Sequence, residues 1–174
     1  MAWTTPKTWS AGETLTAANF NTHIRDNLNA IGARFHVRKT TDTAITSDAT
    51  LNDDPHLLFA VAASEVWAFN ALIKFNDASA GAADIQMTFT VPAGATGFWA
   101  CLSGDTAYVQ PVSTAFAGVI TRAGNTAESV LLLQGLVVNA GTAGNLTFQW
   151  AQQASNAAAL TVRTNSYLIG EKLA

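Results

Sequence analysis

The sequence predicts a mainly β protein: an antiparallel β-sandwich or jelly roll carrying an N-terminal extended arm and one α-helix. Three observations predict it. Beyond residue 35, apolar residues recur at every second position in short segments. Small-residue loops and Gly- or Pro-containing turns separate those segments at regular intervals. A period of 3.6 occurs only before residue 35. A chain of 174 residues holds one domain with a sizeable core plus an arm. The expected division is 1–34 for the arm and helix and 35–174 for the β-body.

Residues 3–15 have no regular period and contain Trp3, Pro6 and Trp9. Thr16 suits a helix N-cap, because its hydroxyl can accept from a free N–H in the first turn. Ala17 and Ala18 favour the helix that follows. Ile24, Leu28, Ile31 and Phe35 fall on one stripe, and Gly32 is a stop. The expectation is one helix of about four turns. A lone helix of that length gains most of its stability from packing its apolar face. Asn27 and Asn29, off the stripe, are expected to matter little.

Residues 35–40 form a first strand, residues 43–51 short extended pieces, and residues 52–55 a turn. A short apolar strand follows at 57–63. Residues 65–77 are the clearest strand, with Trp67, Phe69, Ala71, Ile73 and Phe75 on one face. Residues 84–91 alternate in the same way, with Ile85, Met87, Phe89 and Val91 on one face and Asp84, Gln86, Thr88 and Thr90 on the other. Residues 98–102 are apolar throughout, as a strand buried on both sides would be. A longer connection spans 103–114, and strands are expected at 115–121 and 128–139. Residues 140–144 have hairpin-loop length. Leu146, Phe148 and Trp150 share a face of the next strand, and 160–169 is the last.

Charged residues are only 12% of the chain, about half the usual share, and the net charge is −3. A surface so poor in charge fits partial coverage by further copies of the chain, and a homotrimer is expected. The nine basic residues are scattered, so no nucleic-acid patch forms. No apolar run is long enough to cross a membrane, and residues 3–15 do not read as a signal peptide. The lone Cys101 rules out a disulfide framework, fits synthesis in a reducing cytosol, and sits in an apolar strand as an inert thiol would.

Catalytic signatures are missing. No G-x-S-x-G elbow, Walker loop, CxxC or HExxH occurs. Asp77, Asp84 and Asp105 are too scattered to argue a glycosidase pair. His23 and His36 stand alone, and Asp53, Asp54 and His56 read as a turn with solvated acids rather than an ion site. Neither an enzyme nor a cofactor or metal is expected. Trp67 and Trp150 alternate with core residues. Trp99 stands between three readings: core, trimer contact, and an exposed ring on which a sugar could stack. Trp3 and Trp9 lie in a segment too short to bury them in a core of its own, which suits interface anchors.

The helix region carries a resemblance. Trp9, Gly12, Glu13, Leu15, Thr16 and Ala17 fit W-x(2)-G-E-x-L-T-A. After Phe20, the residues Asn21, Ile24, Arg25, Asp26, Asn27 and Leu28 fit N-x(2)-I-R-D-N-L. This segment resembles the N-terminal part of many tailed-bacteriophage virion structural proteins, of the head decoration, head-fibre, minor tail or tail-fibre type. Residues 145–173 look like the closing strands of the same sort of protein. The resemblance implies a trimeric capsid decoration or head-fibre protein, made in the host cytoplasm and placed on the outer surface of capsid or tail. It implies that Trp3, Trp9, Leu15 and Phe20 anchor it to a major capsid or tail protein. Ile24, Leu28 and Ile31 would pack on symmetry mates or on the body. The rival expectation is a tail-tip receptor-binding protein that recognises host-surface glycans, with Trp99 as ligand contact.

Overall fold

The computed structural model describes residues 4–31, 34–102 and 112–174, the side chains of residues 29–31 and 112–114 excepted. The chain divides into two compact units, one ending at Arg34 and one of Phe35–Leu173.

In the first unit Thr16 caps the helix as expected, its hydroxyl accepting from the Asn19 N–H at 3.2 Å. The helix is not one regular run. α1 (Ala17–Phe20) passes into a π-helical turn at Asn21–Arg25, and α2 (Asp26–Ile31) follows. A π turn widens the helix, so residues beyond it are rotated away from the faces that a constant 3.6 period assigns. Asn27 accordingly lies buried and Leu28 is 63% exposed. The sequence-based assignment of Asn27 to an outward, dispensable position is thereby corrected.

The second unit is an antiparallel β-sandwich. Its strands are β1 (Arg34–Arg38), β2 (Thr43–Ile45), β3 (Asn52–Val61), β4 (Val66–Asp77), β5 (Ile85–Thr90) and β6 (Thr96–Cys101). They continue with β7 (Val112–Thr114), β8 (Ile120–Arg122), β9 (Ser129–Val138), β10 (Gly144–Gln152), β11 (Leu160–Val162) and β12 (Tyr167–Lys172). The larger sheet runs β1-β12-β4-β9-β6-β7, with β11 beside β4 and β2 beside β11. The smaller runs β3-β10-β5-β8. Most consecutive long strands lie in opposite sheets, which is jelly-roll winding.

Alternation places the core between the sheets. β4 turns Trp67, Phe69, Ala71, Ile73 and Phe75 inward, as its period requires. From the other sheet come Leu57, Phe59, Met87, Phe89, Leu146, Phe148 and Trp150. Phe89 is the aromatic hub, with ring centroids of Phe69, Trp99 and Phe148 at 4.9, 5.3 and 5.4 Å. Gly135 in β9 is required by packing, since a Cβ there would lie 2.5 Å from the Phe69 ring.

Several sequence expectations are corrected. Residues 52–55 are not a turn between elements but part of β3, which bulges where its register on β10 jumps from Leu58 to Asp53. Residues 140–144 do not close a hairpin: β9 and β10 belong to different sheets, and the loop carries the chain across the sandwich. Residues 98–102 are buried on one side only, for Phe98 and Leu102 remain exposed. Residues 115–121 reduce to the short β8, and the last strand breaks in two at Asn165, whose φ is +68°.

The bulge in β3 holds a buried ion pair. Lys39 and Asp54 are both fully buried, with Nζ 2.7 Å from Oδ2. Lys39 Nζ also donates to the Thr43 hydroxyl at 2.7 Å. Asp54 Oδ1 accepts from the N–H groups of His56 and Leu57, and Oδ2 accepts from Trp150 Nε1 at 3.2 Å. The acids of residues 53–54 were expected to be solvated; Asp54 is not, because the bulge folds it inward onto Lys39.

Asp77, at the end of β4, organises the following loop. Its buried carboxylate accepts from the N–H groups of Ser79, Gly81, Ala83 and Asp84 and from the Ser79 hydroxyl. Burial pushes this carboxyl up, but the bonds from Ser79, Asp84 and Ala83 outweigh it and hold it below the ordinary aspartate range.

Two predictions follow from these carboxylates. Removing one member of the buried pair, by Lys39→Met or Asp54→Leu, should cost about 3–5 kcal/mol in urea unfolding, because the other charge is left buried alone. The double variant K39M/D54L should recover most of that loss; a double variant as unstable as the sum of the singles would contradict this account. For Asp77, the lowered value means that its contribution is complete above about pH 4 and is lost as pH falls through the depressed folded value. Asp77→Asn should flatten the acid limb of Tm against pH, and an unchanged limb would show that the carboxylate is not the acid-sensitive group.

Candidate functional site

Two surfaces are candidates, one on each unit. On the first, the motif residues specify a local fold. Gly12, at φ +79°, lets residues 10–13 turn, with the Glu13 N–H on the Ser10 carbonyl at 3.1 Å. Glu13 pairs with Lys7 and accepts from the Ser10 N–H, and both contacts hold its carboxyl below the usual glutamate value. Lys7 Nζ also stands 5.0 Å from the Trp9 ring centroid, and the Trp9 ring meets His23 edge-on at 6.4 Å.

Asn27 is the clamp. Its Nδ2 donates to the Thr4 carbonyl at 2.8 Å, and its Oδ1 accepts from the Thr4 N–H at 2.9 Å. Nδ2 also reaches the His23 carbonyl at 3.2 Å. The extended residues before the helix are thus held back along it. Sequence reasoning missed this role because an amide that bonds a distant backbone leaves no periodic trace.

The expected anchors fall as follows. Trp9, Leu15 and Phe20 are exposed, at 38%, 54% and 46%. Ile24 is half-buried and Leu28 exposed. Trp3 and the side chain of Ile31 lie outside the described residues. Among the described residues of this unit, only Asn27 is buried. The polar ties described above hold the unit, and Trp9, Leu15, Phe20 and Leu28 stay exposed.

The second surface is the outer face of the larger sheet. Phe98, Leu102, Val130, Leu132, Val138, Tyr167 and Ile169 are each 36–48% exposed there. The register aligns them in rows across the strands. Tyr167 stands beside Leu72, and Leu72 beside Leu132. The next row is Ile169, Asn70, Gln134 and Ala100. A third is Glu171, Ala68, Leu136 and Phe98. A depression of about 310 Å³ opens among Asn70, Phe98, Gln134 and Leu136. Another of about 400 Å³ lies between β1 and β12, beside His36, Arg38, Tyr167 and Ile169. The sequence does hold a signal for this face: Val130–Val138 is apolar at both inward and outward positions, apart from Gln134 and Gly135.

Trp99 is corrected. It is fully buried, edge-on to Phe89, and so offers no exposed ring for a sugar. Alternation decides this, since Trp99 and Cys101 share the inward face while Phe98 takes the outward one. Among the described residues no group of three His, Cys, Asp or Glu side chains is placed to hold a metal. No helix among them is long and apolar enough to cross a membrane.

No protein-family model matches this chain. No curated protein matches it either. Among solved structures it is similar to Eiger TNF from S. frugiperda, at 14% identity over 81% of this chain and 92% of that one, with a TM-score of 0.42. The jelly-roll winding described above stands on this chain's own strand order.

The clamp predicts an order of effects opposite to the one periodicity implies. Asn27→Ala should release the residues before the helix, costing about 1–3 kcal/mol locally for the unpaired Thr4 groups and lost bonds. Limited proteolysis of the isolated chain should then cut within residues 4–16 faster than in wild type, whereas Leu28→Ala should leave that rate nearly unchanged. Equal acceleration by both variants would remove Asn27 from this role.

Proposed function

We propose that this chain is a structural protein of a tailed-bacteriophage virion, a trimeric capsid decoration or head-fibre protein. Residues 1–34 dock on the particle and the β-body projects from it. One observation carries the reading. The segment that resembles phage virion proteins is folded by a turn, a cap and a clamp, yet it leaves Trp9, Leu15, Phe20 and Leu28 exposed. A unit that spends its specificity on shape and leaves its aromatic and aliphatic groups open is suited to seat them in pockets of another protein. Trp9 and Phe20 are the side-chain types that dominate such contacts. The role is attachment by buried apolar area rather than catalysis, and the partner is a major capsid or tail protein.

Recognition of host glycans by a tail-tip protein is the weaker reading, since the tryptophan on which it rested faces the core. The deciding experiment mixes the purified protein with particles lacking it, alongside a chain without residues 1–15. The full chain should sediment with capsids and the truncated chain should stay in the supernatant. Equal binding of both would end the assignment of the arm as anchor, and binding to tails alone would move the protein to the tail.

A further inference from the structure

We infer that the outer face of the larger sheet is the surface through which copies of this chain join, with Asn70 and Gln134 as the polar row that fixes their register. The inference deepens the oligomeric part of the reading above and rests on it.

Area is the first argument. Phe98, Tyr167 and five smaller aliphatic side chains are each a third to a half exposed on this face, which leaves on the order of 500 Å² of apolar surface open. That reaches the upper range of what free monomers expose, and it supplies much of the roughly 800 Å² that each partner contributes to a stable interface. Charge is the second. In the central row the polar groups are the neutral amides of Asn70 and Gln134. The charged groups lie toward the edges, with Glu171 and the β1 side chains Arg34, His36 and Arg38 on one side and Lys74, paired with Glu128 at 3.0 Å, on another. A strongly basic or acidic partner would find no counter-charge at the centre.

The amides then choose the occupant. Asn70 and Gln134 stand side by side across β4 and β9, flanked by Ile169 and Ala100. Each carries a donor and an acceptor, so around a three-fold axis Asn70 of one copy can meet Gln134 of the next and every pair is satisfied. A polar row inside an apolar face costs association energy and returns register, because a shifted alignment leaves the amides unpaired. The face is self-complementary in chemistry, and a second copy of the chain is the partner that it fits.

The test uses the full chain at micromolar concentration in sedimentation equilibrium. Wild type should give three times the monomer mass. Leu132→Glu should give the monomer, with an unchanged circular dichroism spectrum, at low and high salt alike. Gln134→Glu, nearly isosteric, should weaken association at least tenfold at low salt and regain it as salt screens the repeated carboxylates. Val119→Glu, exposed just before β8 on the smaller sheet, should leave the mass unaltered. If wild type is monomeric, both the trimer and this interface fall. If wild type is trimeric and both Leu132→Glu and Gln134→Glu remain so, the trimer stands and this face is overturned. Should Leu132→Glu misfold, Gln134→Glu alone decides. A dimer that these variants dissociate keeps the face and removes the trimer.

Discussion

One buried ion pair constrains how the two sheets of the β-body close. Lys39 lies just after β1, and Asp54 lies in the bulge of β3, so their contact joins a segment of the larger sheet to a strand of the smaller. Trp150 in β10 adds its indole N–H to the same carboxylate, and the Thr43 hydroxyl at the start of β2 accepts a hydrogen bond from Lys39 Nζ. The backbone of Lys39 is tied as well: its N–H donates to the Ser166 carbonyl, and its own carbonyl accepts from the Asn165 N–H. Two ions in a dry interior are costly to hold, and that cost is offset only when every remaining lone pair and proton finds a partner. Here the partners come from four separate parts of the chain. The pair is therefore less a source of stability than a condition: the apolar layers close in the arrangement that lets both charges be satisfied.

The two units are built on different principles. The body is organised by apolar alternation, and its few buried polar groups serve bulges and loops, as Asp54 and Asp77 do. The first unit has almost no buried apolar side chain among its described residues and relies on Thr16, Gly12, Glu13 and Asn27. Gly12, Glu13, Thr16 and Asn27 of the motif give the segment its shape. Leu15 and Phe20 share the pattern without being needed for that shape, and they are exposed.

Strands with one covered face were legible in the sequence. β4 and β5 followed from period two, and the jelly-roll class followed from many short strands with turns between them. What was not legible depends on partners far along the chain. Lys39 and Asp54 carry no local mark of pairing: the first lies near the end of the expected strand 35–40, the second in the expected turn 52–55. The loop at 140–144 has hairpin length, but loop length does not say whether the strands it joins share a sheet. The burial of Trp99 turned on alternation within an all-apolar segment, where period two gives no contrast. The buried Asn27 was hidden by a π turn, which shifts the phase that periodicity assumes to be constant.

The placement of β1 beside β12 has a consequence for the order of assembly. A ribosome releases residue 38 long before it reaches residue 172; at roughly 5–20 residues per second the interval is several seconds or more. During that time β1 has no neighbour, and the edge of β4 that β12 later covers is open. Lys39 likewise waits for Ser166. A sandwich wound in this way cannot be completed from its beginning: a nascent chain stalled before the last strand holds a long apolar strand with an unpaired edge, the form in which β proteins associate wrongly. The larger sheet therefore closes only when residues 167–172 arrive between β1 and β4, and β1 stays unpaired until then.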